Sequence, residues 1–234
     1  MTGLFSALTQ TEQDALLLSL RVACVATLAS LPIGIAVAWL LARGRFVGRG
    51  LLSALVYLPL VLPPVVTGYA LLLAFGRHGP IGAVLEPLGI VFAFRWTGAA
   101  LASGIMGFPL MVRAIRLSIE AVDLRLEQAA GTLGARPIVR FATITLPLAA
   151  PGIVAGAVLA FAKAMGEFGA TITFVSNIPG ETQTLPSAIY SLIQTPGAEA
   201  GVLRLVVISV IVSVTAVLAS EWLSQAAARR TAGR

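Results

Sequence analysis

Long apolar runs separated by short clusters of arginine set the pattern of this chain. A bilayer core roughly 30 Å thick takes about 20 residues of helix. Five runs reach that length: 15–42, 50–75, 97–118, 144–171 and 201–223. A sixth stretch, 81–94, is short and holds Glu86 and Pro87, which predicts an interfacial or re-entrant segment rather than a span. The pattern therefore predicts an all-α membrane protein with about five transmembrane helices. Prolines interrupt several runs: Pro32 in the first, Pro59, Pro63 and Pro64 in the second, Pro109 in the third, Pro147 and Pro151 in the fourth. In lipid such breaks persist where neighbouring helices or a wet cavity satisfy the freed backbone, so their density favours a transporter over a simple anchor. Gly152 and Gly156 form a small-xxx-small pair that lets another helix approach closely.

Composition agrees with this pattern. Only 11% of the residues are charged and 58% are hydrophobic, against about a quarter charged in a soluble domain. The net charge of +6 forms no extended basic face, which argues against a nucleic-acid partner. It reads instead as topology. With five spans, one set of loops collects Arg43, Arg45 and Arg49, then Arg113, Arg116, Arg125, Arg136 and Arg140, then Arg229, Arg230 and Arg234. The positive-inside rule makes that side cytoplasmic and the N-terminus external. No basic residue precedes Arg21, and the first apolar run exceeds a signal-peptide core, so no cleavage is expected. Cys24 stands alone in an apolar run and reads as helix packing. No cluster of His, Cys and carboxylates has metal-ligand spacing, and no cofactor is expected.

Two local features carry candidate chemistry. Residues 126–134 predict a short cytoplasmic helix that stops near Gly134, with Glu127 at its positive dipole end and a small surface made by Ala129, Ala130 and Gly131. Docking into a partner's groove and a plain interfacial connector both fit those residues. In the fourth run, Lys163 and Glu167 lie four residues apart on one helix face. A charge at that depth costs at least roughly 2.5 to 3.5 kcal/mol, so it belongs against the bundle interior or a cavity. The pair can line or gate an anion route, together with Gly166 and Phe168, or it can lock packing. Lys163 is the only lysine and follows Ala162, so the chain contains no P-loop.

The spacing Gln128-Ala129-Ala130, three residues, Gly134, nine residues, Ile144, one residue, Leu146-Pro147 resembles the EAA loop of ABC-importer permeases. That resemblance implies a type I permease fold over 12–223, with 119–143 as a loop whose coupling helix docks on an ATP-binding subunit, and a short basic cytoplasmic tail at 224–234. It implies coupling roles for Glu127, Gln128, Ala129, Ala130, Gly134, Leu146 and Pro147. Gln128 occupies the family's glutamate position and Glu127 precedes it, which leaves open which of the two makes the family's contact. Segments 58–68, 108–116, 166–180 and 193–197 resemble the molybdate permeases in particular. Sulfate permeases share the Gly166-Glu167-Phe168-Gly169 type of segment, and residues 177–184 favour molybdate. The resemblance implies a non-catalytic subunit that imports molybdate, or tungstate, across a bacterial inner membrane by alternating access. Its partners would be two ATP-binding subunits, a periplasmic molybdate-binding protein and a second copy of itself, within the lipid bilayer. A sulfate or thiosulfate permease, and a stand-alone secondary anion transporter, are the rival readings.

Overall fold

A computed structural model describes residues 8–232, with side chains through Ala219 and at Trp222. Its long helices are α1 (Gln10–Arg43), α2 (Arg49–Val61), α3 (Pro64–Phe75), α4 (Trp96–Ala121), α5 (Leu124–Thr132), α6 (Ala150–Met165), α7 (Gly169–Val175), α8 (Leu185–Ile193) and α9 (Glu199–Ala232). Among the described residues, α1, α4 and residues 199–219 of α9 are each long and apolar enough to cross a membrane. Two bent helix pairs bring the number to five when each pair is taken as one span. Of the tail expected at 224–234, the α9 backbone reaches Ala232; its side chains and residues 233–234 lie outside the described residues.

The expected breaks divide into two kinds. α1 and α4 run straight through Pro32 and Pro109. Each proline removes one backbone hydrogen bond, but both helices are pressed together beside these sites. A Cβ on Gly34 would lie 2.7 Å from the Met111 sulfur, so packing holds the helices through the defect. The second run, expected as one span over 50–75, is instead two helices bent by 114°. Here two prolines are adjacent: Pro64 has no N–H and forces Pro63 out of the helical region, to φ −54°, ψ 133°. Leu62 is extended as well.

The fourth run also departs from its expected bounds. The straight helix is Ala150–Met165, not 144–171. Before it, the segment Pro137–Leu148 meets α6 at an angle of 71° and contains a π-turn at Phe141–Thr145, where the Leu146 N–H reaches the Phe141 carbonyl. Pro147 and Pro151 each lack an N–H donor, one on either side of this bend, a recognised cause of kinks. At the other end, Gly166 terminates α6 and α7 begins at Gly169. Residues 81–94 contain only one turn at Gly82–Leu85 and a 3-10 turn at Glu86–Leu88, and do not span.

α4 is the hub. One buried cluster joins Val22 of α1, Leu71 of α3, Met106 of α4 and Phe174 of α7. A second joins Leu41, Val56, Met111, Ile115 and Ala160 from α1, α2, α4 and α6. A third ties Leu16 of α1 to Leu185 of α8 and Ile208 of α9. The helix that approaches Gly152 and Gly156 is α4: added Cβ atoms would lie 2.1 Å from Ser118 Cβ and 2.9 Å from the Met111 carbonyl. In lipid, where apolar burial gives little drive between helices, such backbone-close contact is a main source of association.

Candidate functional site

The loop from α4 to α6 folds as its residues dictate. Asp123 caps α5 by accepting the Arg125 N–H at 2.9 Å. Gly134 ends the turn at φ +84°, with its N–H on the Gly131 carbonyl and the Ala135 N–H on the Ala130 carbonyl. An added Cβ on Gly134 would meet nothing, so its requirement is conformational. No residue of α5 is fully buried. Gln128 and Ala129 are exposed, and so are Leu133 at 89% and Ile138 at 81%. Together they make a small, partly apolar outer surface. Ala130 and Gly131 are half-buried, with the Arg140 guanidinium 3.0 Å from where a Gly131 Cβ would lie. Leu146 and Pro147 lie at the bend into α6.

Glu127 points the other way. Its Oε1 accepts from Arg43 Nε at 3.1 Å and from the Thr145 hydroxyl at 3.0 Å, with Arg43 Nη2 also 3.0 Å away in the ion pair. Arg43 also donates to the Val122 carbonyl at 2.8 Å, and Arg140 to the Glu127 carbonyl at 3.4 Å. Thr145 is buried in the π-turn. Nearby, Trp39 of α1 rests on Phe141 with ring centroids 5.5 Å apart. Along the sequence Arg43 stands out only as a topology signal, and Thr145 does not stand out at all. A signal existed for Arg43, an arginine in the last turn of a long helix, but nothing local pointed to Thr145.

The second candidate group gathers where α6 ends. Lys163 Nζ and Glu167 Oε2 are 2.5 Å apart, with the Lys163 side chain 30% exposed and that of Glu167 1%. Glu167 therefore lies not on the helix with Lys163 but in the break behind it. Its other oxygen accepts the Ala170 N–H at 2.9 Å, which caps α7. The break meets its counterpart in the α2–α3 pair. A Cβ on Gly169 would be 2.7 Å from Pro64 Cβ, and one on Gly68 would be 2.4 Å from the Ala170 carbonyl oxygen. Gly166 is exposed, and the Phe168 ring sits 5.0 Å from that of Tyr190 on α8. Lys163, Gly166, Glu167 and Phe168 are thus brought together. The residues expected to couple to an ATP-binding subunit are not with them, since the 16 residues of α6 separate the two groups by about 24 Å at a helical rise of about 1.5 Å per residue.

Residues 30–231 match the family described as binding-protein-dependent transport system inner membrane component. The chain belongs to that family. This permease is 60% identical over 228 residues to the molybdenum transport system permease protein ModB of Escherichia coli (strain K12), covering 97% of this chain and 99% of the relative. It is 46% identical over 184 residues to ModB of Mycobacterium tuberculosis (strain ATCC 25618 / H37Rv), covering 78% and 69%. The sulfate transport system permease protein CysW of Synechococcus elongatus (strain ATCC 33912 / PCC 7942 / FACHB-805) is 37% identical over 174 residues, covering 74% and 61%. Among solved structures, the inward-facing MetNI methionine ABC transporter superposes with a TM-score of 0.73 at 17% identity, covering 94% of this permease and 99% of that chain. A bacterial ABC transporter that imports alginate gives 0.71 at 17% identity, covering 95% and 80%. At that identity the likeness is one of fold, and the fold is that of ABC importer permeases.

Proposed function

We propose that two copies of this permease form the membrane path of an ATP-driven molybdate importer, with the N-terminus outside and α5 in the cytoplasm. The observation that carries the substrate is the 60% identity to an Escherichia coli ModB over 97% of the chain. Sulfate remains the second reading because CysW is 37% identical over 174 residues. ATP hydrolysis falls to separate subunits, consistent with a chain whose only lysine is not in a P-loop. Those subunits receive the outer face of α5, at Gln128, Ala129 and Leu133. A periplasmic binding protein delivers the anion at the opposite end.

In this reading, ATP binding draws the two α5 helices together and opens the path outward, and hydrolysis resets it. Lys163 offers the path a positive charge that Glu167 holds in place. The pair suits passage rather than tight binding, because a neutralised cation attracts a dianion only weakly. The test is a vesicle reconstitution of this permease with its ATP-binding subunits and binding protein. Molybdate uptake should require ATP, and molybdate should stimulate hydrolysis more than sulfate does. Uptake without ATP would sink the importer reading, whereas greater stimulation by sulfate would reassign the substrate.

A further inference from the structure

We propose that Glu127 is a positioning residue that clamps α5 to α1 and to the bend before α6, while Gln128 faces the ATP-binding subunit. The proposal rests on the docking role of α5 and deepens it. One Glu127 oxygen collects two hydrogen bonds, from Arg43 Nε at 3.1 Å and from Thr145 at 3.0 Å, and closes an ion pair with Arg43 Nη2 at 3.0 Å. The Arg43 and Glu127 side chains are 15% and 17% exposed. A partner's cation could reach that oxygen only after the clamp had opened. Gln128, the next residue, is exposed and points to the free face.

The clamp gathers four segments: the last turn of α1 through Arg43, the end of α4 through the Val122 carbonyl, α5 itself, and the π-turn through Thr145. Residues 84 positions apart are thereby fixed to one another. Charge-assisted hydrogen bonds in a half-buried setting are stronger than exposed ion pairs, and the guanidinium fork fixes direction as well as distance. A push on the outer face of α5 must therefore carry α1 and the start of α6 with it. Without the clamp, α5 could move while the membrane helices stayed still.

The measurement is molybdate transported per ATP hydrolysed by the complete importer in vesicles. Arg43→Gln and Glu127→Gln should leave ATP hydrolysis and complex assembly intact while this ratio falls about tenfold, within the usual span of coupling between sites. Thr145→Val, which removes a single hydrogen bond from a neutral donor, should lower it about fivefold. Combining Arg43→Glu with Glu127→Arg should recover part of the loss. An unchanged ratio in Glu127→Gln and Thr145→Val overturns the clamp. So does release of the ATP-binding subunit by Glu127→Gln but not by Arg43→Gln, since Glu127 would then be the direct contact. If Arg43→Gln fails to insert, Thr145→Val still reads the ratio. The parent reading fails separately: normal assembly and uptake with Ala129→Trp would show that nothing docks on α5, whatever the clamp variants do.

Discussion

Lys163 and Glu167 show how one buried carboxylate serves two neighbours. Glu167 neutralises the ammonium with one oxygen and caps α7 with the other. Removing only Lys163 leaves a carboxylate that is 1% exposed without its counter-ion, and a broken buried pair costs roughly 3–5 kcal/mol. The informative variant removes both charges and keeps the shape: Lys163→Met with Glu167→Gln leaves an amide oxygen for the Ala170 N–H. That double variant should reach the membrane in normal yield while ATP-driven uptake falls about tenfold, or about 1.4 kcal/mol of barrier. Unimpaired uptake would assign the pair to packing alone. The spacing Lys163–Glu167 was legible in the sequence because i and i+4 share a helix face. The helix break between them was not, since a single glycine such as Gly166 is tolerated inside many membrane helices.

α5 is defined by its ends. Gly134→Pro would force φ from +84° towards about −65° and delete the N–H that meets the Gly131 carbonyl. Insertion should be intact and ATP-driven uptake lost, while Gly134→Asn should retain uptake because asparagine tolerates the left-handed region. Where α6 crosses α4, Gly152→Leu would push side-chain atoms into Ser118, whose Cβ lies only 2.1 Å from the added position. Overpacking of this kind costs roughly 1–3 kcal/mol and should appear as a lower unfolding temperature in detergent. α1, α4, α5 and α9 were all readable from apolar runs and end signals. The behaviour of the prolines was not. Pro32 and Pro109 stay inside helices that pack on each other through Gly34 and Met111, whereas at the adjacent pair Pro64 holds Pro63 out of the helical region. Arg43 and Glu127 belong to distant segments, and only the tertiary fold brings them together.

For the whole molecule, the proposed assembly has a definite composition. Mass measurement of the intact importer in detergent should find two copies of this chain with two ATP-binding subunits, and a single copy in an active complex would overturn the homodimer. Much of the chain's outer surface is apolar, including Leu51, Leu55, Val61, Val65 and Leu73 along α2 and α3, as expected for helices that meet lipid or another copy. The two candidate groups occupy opposite ends of α6, and that placement has a mechanical result. A straight rod about 24 Å long that tilts by about 10° around its bent end at Pro147 swings its far tip by about 4 Å. That stroke is comparable with the 5.0 Å separation of the Phe168 and Tyr190 rings, so a small rotation begun beside α5 arrives at Lys163 as a displacement large enough to part them.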